Sequence, residues 1–195
     1  MKKVKIIGVF VIMVLSVLCH FLYEWNNNFI FSILFPVNES IFEHMKLIAT
    51  PVFLYGIFEY FYYKKKNIIF NNLLLSLSVS IILGIIVYLI PYLIIDKFIG
   101  HNMIVSISLL FLNYCFIEYL SYKIINYREI KYSSYIGVAL LFLIYFVFYY
   151  FTYYPPLTHL FYDSKNKIYE IKNWTIRSVF FIFQQFYVYL DQLIF

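Results

Sequence analysis

Charge is scarce in this sequence: only 13% of its residues are Asp, Glu, Lys or Arg, against about a quarter in an ordinary soluble domain. That scarcity excludes a water-soluble fold. The apolar residues make up 64% of the chain, with 22 Tyr and 23 Phe, more than such a fold can keep out of water. Cysteine is equally sparse. Cys19 and Cys115 each sit inside an apolar run, which excludes a disulfide framework and a Cys-x-x-Cys metal pair; both read as buried free thiols. No linker and no internal repeat interrupts the chain, so residues 1–195 read as one integral membrane domain. A cleavable leader is not expected either. Lys2, Lys3 and Lys5 open an apolar run to Tyr23 with no A-x-A-like site after it, and Leu18 occupies the place where a lipoprotein signal needs a small residue. The run reads as an uncleaved first span. The net charge of +5 does not point to nucleic acid, because the lysines cluster at span ends; the partner it implies is the lipid bilayer.

What is present is hydrocarbon in membrane-length pieces. Runs of 18 or more apolar residues suffice to cross about 30 Å as a helix. They predict five spans near 5–23, 42–63, 72–95, 103–122 and 132–151. A last segment, 174–195, carries polar doublets seven residues apart (Arg177/Ser178, Gln184/Gln185, Asp191/Gln192). It is either a sixth span with a polar stripe or a helix lying in the interface. The expected fold is therefore an all-α, polytopic transmembrane helix bundle of five to six spans. Lysine and arginine concentrate before span one, after span two and between spans four and five. The positive-inside rule then puts the N-terminus in the cytoplasm of a multi-pass cell-membrane protein and the loop 152–173 outside. Ser76, Ser80 and Gly84 form a small-residue groove on span three, and Pro51 and Pro91 are expected to kink their helices. Glu59 and Glu118, near the cytoplasmic ends, are expected to reach the membrane boundary or to pair with Lys64–Lys66 and Lys123.

That topology brings all four histidines, His20, His44, His101 and His159, to the outer side. Glu24 follows His20 by four residues and Asp163 follows His159 by four, so each pair can share one helical face. Imidazole and carboxylate are the ligands that zinc and similar divalent metals take. His20, Glu24, His44, His159 and Asp163 are thus candidate metal ligands. Between spans one and two lies the block PVNESIFEHMKL, residues 36–47. Ser40 and Glu43 fit a reciprocal capping box. Capping leaves Asn38, Glu39, His44 and Lys46 unexplained, and these four complete a candidate polar site. Lys46 either snorkels to the headgroups or pairs with Glu43. In a metal-dependent hydrolase Glu39 or Glu43 would act as general base, with Ser40 a further catalytic candidate.

The chain also resembles a known family. HFLYEW at 20–25, the 36–47 block with Pro51 beyond it, and PPLTHLFYD at 155–163 look like an uncharacterised family of small bacterial multi-pass membrane proteins. That family is marked by a PVNES-[VI]-[WF]-EH-[LM]-K block. The resemblance implies where a site lies and not its chemistry. A more distant likeness, Ser40-x-x-x-His44 followed by a late histidine and aspartate, is to the alkaline ceramidase and progestin/adipoQ receptor superfamily of membrane metal hydrolases. Those proteins have seven spans and a late H-x-x-x-H, where this chain has His159 and Asp163. Three functions stay open: a metal-dependent membrane hydrolase acting on an amphipathic or lipid-linked substrate, a membrane assembly or envelope partner, and a small transporter or channel component whose path runs by Glu59, Asn113 and Glu118.

Overall fold

A computed structural model describes residues 1–100, 102–163 and 165–169; His101 and the segment 174–195 lie outside the described residues. The elements are α1 (Lys2–Trp25), α2 (Phe29–Leu34), α3 (Ile41–His44), α4 (Lys46–Lys65), α5 (Leu73–Ile99), α6 (Met103–Ile125), α7 (Ser133–Tyr153) and a 3-10 turn (His159–Phe161). Among the described residues there is no strand, only an isolated bridge between Asp163 and Ile168. Five helical stretches are long and apolar enough to cross a membrane, with α3 and α4 counting as one unit, Ile41–Lys65. Their outer faces carry large apolar side chains such as Phe61, Phe142 and Leu143, all more than half exposed. That surface is suited to lipid, and helices satisfy their own backbone groups there. The expected all-α membrane bundle is the fold observed.

Helix α5 lies between α6 and α7, while α1 packs on α4 and α6, and α2 packs on α7. Small residues set the close approaches. A Cβ on Gly137 would collide with the backbone of Leu74 and Leu75, so α5 and α7 meet main chain to main chain. On the facing side of α5, Gly84 abuts Ile117 and the Ser76 Oγ lies 3.2 Å from the Ser121 Oγ. The Ser76/Ser80/Gly84 groove therefore receives α6. Cys19 is buried, but Cys115, expected to be buried as well, is exposed.

Helix α4 runs through Pro51. Proline has no N–H to give the carbonyl four residues back, and the Tyr114 hydroxyl donates to that carbonyl, Leu47 O, at 2.7 Å. The helix of this span is interrupted at Met45, whose N–H turns back tightly to Phe42 O at 3.0 Å.

The intramembrane carboxylates find an unexpected partner. Lys5, expected only to orient the first span, is buried, with its Nζ 2.6 Å from Glu59 Oε2 and 3.3 Å from Glu118 Oε2. Glu59 and Glu118 lie on the bundle-facing sides of their helices, where α1 brings this lysine, so they do not pair with the basic residues at their own helix ends. Lys64 and Lys123 lie over the rings of Tyr60 and Tyr119 instead.

Candidate metal centre

At the other end of the bundle the chain must turn from α1 into α4, and local polar chemistry shapes that turn. The side chain of Asn28 accepts from Phe31 N–H at 3.0 Å and caps α2, a helix that the short run FIFSIL did not announce. Asn38 Oδ1 accepts from Ser40 N–H at 2.9 Å, and Ser40 Oγ accepts from Glu43 N–H at 3.3 Å. Ser40 thus caps α3 as expected, but the reciprocal half of the box does not form. Asn38 already holds the Ser40 N–H, and the Glu43 carboxylate turns inward. Its Oε2 accepts from Val37 N–H at 3.0 Å and from Lys46 Nζ at 2.5 Å, and its Oε1 accepts from the Thr152 hydroxyl at 2.7 Å. Lys46 also donates to Ser32 O and to Thr152 Oγ1, both at 2.7 Å. Lys46 is fully buried and Glu43 nearly so; the lysine does not snorkel. Together they tie the block to α2 and α7.

With the block held, Glu39 stands between two histidines. His44 Nε2 is 3.4 Å from Glu39 Oε2, and His20 Nε2 is 3.9 Å from Glu39 Oε1. One donor atom from each of the three residues falls within 4.8 Å of the others. Zinc bonds of about 2.0–2.2 Å in a tetrahedron separate neighbouring ligand atoms by about 3.3–3.6 Å, so the trio needs little movement to close on an ion. Its donor chemistry fits too. His44 Nδ1 lies 2.8 Å from Ser40 O, which makes Nδ1 the donor of that bond and turns Nε2 toward Glu39, where it either carries a proton or offers its lone pair to an ion. A ligating histidine is ordinarily held through its other nitrogen in this way. Lone pair and carboxylate cannot face each other unaided; a proton or a metal ion has to lie between them. The hydrogen bond from His44, helped by the nearby His20 and Lys165, holds the Glu39 carboxyl down to about 2, against the opposing effect of burial. His20 Nδ1 is buried without a protein hydrogen-bond partner, so that ring retains an uncommitted nitrogen.

One side of the trio opens into a cavity of about 300 Å³ lined by His20, Tyr23, Glu24, Asn38, Glu39 and Lys165, among others. Glu24 therefore shares the cavity but is not in the trio. Lys165 Nζ is 3.5 Å from Glu39 Oε1 and its side chain is 69% exposed. Asp163 is buried beside the block, and its carboxylate accepts from the N–H groups of Glu39, Lys165 and Asn166 and from the Asn166 amide. It shapes the loop that carries Glu39. His159 is exposed at the start of the 3-10 turn and does not join the trio. Phe161, two residues on, packs its ring on Phe42 at 4.7 Å between centroids and seats that loop.

Of the expected metal candidates only His20 and His44 fall in the trio, and Glu39, expected as a base, is the carboxylate between them. Lys165 and Asn166 were not singled out by sequence. Their only signal was position, just after Asp163 in the loop read as external.

No curated protein and no solved structure matches this chain. Residues 1–171 match the model of a family of unknown function, DUF6512, and the chain belongs to that family.

Proposed function

We propose that this protein is a metal-dependent membrane hydrolase whose site opens at the extracytoplasmic end of the helix bundle onto an amphipathic or lipid-linked substrate. The observation that carries the reading is the convergence of His20, Glu39 and His44 on one point beside an open cavity. Two imidazoles and one carboxylate, with a further position facing a cavity, are the donor set of catalytic rather than structural zinc sites. A divalent ion held there supplies a bound water ionised near neutral pH.

The chain's own groups divide the remaining work. Glu24 lines the cavity and is the carboxylate free to take a proton from a nucleophilic water. Glu43 is committed to Lys46, Val37 and Thr152, and Ser40 to its capping bond. Their part is to hold the block, and Asp163 positions Glu39 through its backbone N–H. Lys165 offers a cation to an anionic headgroup. Phe21 and Trp25, flanking Glu24 in sequence, are 40% and 68% exposed and give an acyl chain an apolar rim beside the polar cavity. The distribution of lysines between the loops supports an extracytoplasmic site.

The test is elemental analysis of the purified full-length protein after equilibration with zinc and removal of excess metal. One metal per chain in the wild type, lost in His44→Ala, is expected, together with metal-dependent hydrolysis of lipid-linked esters or phosphoesters. A wild-type protein that retains no stoichiometric metal overturns the reading.

A further inference from the structure

At the end of the bundle away from the histidines, Lys5 of α1, Glu59 of α4 and Glu118 of α6 meet inside the protein. They are 4%, 0% and 3% exposed. Two carboxylates face one ammonium, and among the described residues no other cation lies within ion-pair distance of either. The hydrogen bonds divide unequally. Glu59 Oε2 accepts from Lys5 Nζ at 2.6 Å and its Oε1 from the Tyr63 hydroxyl at 3.1 Å. Lys5 gives a further bond to Ser121 Oγ at 2.8 Å. Glu118 Oε2 is aimed at the same ammonium from 3.3 Å, yet it is buried without a hydrogen-bond partner.

Among the described residues, the remaining groups around the trio bring no compensating charge. From α4, Tyr55 sends its hydroxyl to Val4 O at 2.7 Å. From α5, Ser76 donates to Leu73 O at 2.8 Å and lies 3.2 Å from Ser121 Oγ. An unpaired carboxylate among apolar helices is expensive and neutralises rather than remaining charged. Of the two carboxylates, Glu59 has a short bond from Lys5 and a hydroxyl donor on its other oxygen, whereas Glu118 Oε2 has only the longer approach of Lys5.

We propose that the Lys5–Glu59–Glu118 cluster is an intramembrane proton-binding centre that holds one exchangeable proton on Glu118 while Glu59 pairs with Lys5. Its ligand is a proton, and its place is the half of the bundle remote from the candidate metal centre. The α5–α6 seam extends its polar surroundings. Ser80, one turn from Ser76, and Asn113, beside Gly84, are buried with their side-chain polar atoms unpartnered in the protein.

Infrared spectroscopy of the full-length protein in liposomes tests this, because a protonated carboxyl has a carbonyl band distinct from that of a carboxylate, and the band shifts in deuterated water. At neutral pH the wild type is expected to show one such band, absent in Glu118→Gln. The band should titrate away reversibly as pH rises. Glu59→Gln leaves one carboxylate for one ammonium, so it too should abolish the Glu118 band, although it does not touch Glu118. Should Glu118→Gln fail to fold, the wild-type titration and the Glu59→Gln spectrum still decide. The proposal is overturned if the wild type shows no protonated carboxyl band at neutral or mildly acidic pH. It is likewise overturned if the band survives unchanged in Glu59→Gln, or if sodium displaces the proton at constant pH.

Discussion

His44 Nε2 faces Glu39 Oε2 across 3.4 Å, and the other nitrogen of the same ring is tied to Ser40 O at 2.8 Å. The ring is thus aimed by the helix cap that precedes it, and whatever bridges it to Glu39 bears positive charge. If that bridge is a metal, removing either side removes a ligand. His44→Ala and Glu39→Gln should each lower zinc affinity by well over about tenfold, since even outer-shell partners of a metal act on a scale of about 10–100-fold. Competition titration with a chromophoric chelator measures this. His159→Ala, outside the trio, should leave the affinity within about twofold on the same scale.

Acid should release the metal through the imidazoles. Ligands must be deprotonated to bind, and the Glu39 carboxyl, held down to about 2, is already ionised throughout the range where histidines titrate. Zinc affinity should therefore be flat at mildly alkaline pH and fall in two stages as pH drops. The first is set by His44, where burial is outweighed by the bonds to Glu39 and Ser40 that raise its pKa, and the second by His20, whose pKa burial lowers. A loss that begins only near the carboxylate range would show that the histidines are not ligands.

Asp163 separates positioning from ligation. Its carboxylate holds the Glu39 N–H at 3.3 Å and the N–H groups of Lys165 and Asn166 at 2.9 and 3.0 Å. Asp163→Ala should loosen the loop and weaken zinc binding about 10–100-fold, as outer-shell losses do. X-ray absorption on the zinc-saturated variant should still count two imidazole nitrogens and the same coordination number. A lost oxygen ligand would instead make Asp163 part of the first coordination sphere.

The parts legible in sequence were those set by local rules. Five spans follow from apolar length, and the Ser40 cap from its spacing to Glu43. His20 and His44 were brought to one side by charge-based topology alone. What escaped depends on which helix faces become neighbours. Lys5 and Glu59 are 54 residues apart, and Lys46 and Thr152 are 106 apart. Hydropathy records that such residues are polar, not that another helix will carry a partner to them. The lysine clusters therefore read only as orienting charge, although one lysine from the first cluster is buried. Glu43 read as a candidate base for the same reason, since Thr152 reaches its carboxylate only after α7 has packed.

The Tyr114 hydroxyl at Leu47 O, 2.7 Å away, offers a test of how α4 tolerates Pro51. Tyr114→Phe keeps the ring and leaves the carbonyl without its donor in a buried setting, at a cost of about 1–3 kcal/mol. The apparent unfolding midpoint in detergent should fall accordingly. Tyr135→Phe, at a position 77% exposed, should not move it.

Lys46 and Glu43 should dominate the stability of the polar end. Breaking a buried ion pair from one side leaves the other charge uncompensated, at a cost of about 3–5 kcal/mol. Lys46→Met does this while keeping chain length and apolar volume, and it also strands the Ser32 carbonyl and the Thr152 hydroxyl, which accept from Nζ at 2.7 Å. The loss should exceed that of Tyr114→Phe. Because the pair ties the block to α2 and α7, zinc binding should fall as well, although Lys46 is not among the donor atoms. Lys65→Met, at the exposed end of α4, supplies the control for a changed net charge. Equal midpoints for the Lys46 and Lys65 variants, with zinc binding intact in both, would mean that the pair does not hold the site. Glu39 and His44 would then owe their placement to the Ser40 cap and Asp163 alone.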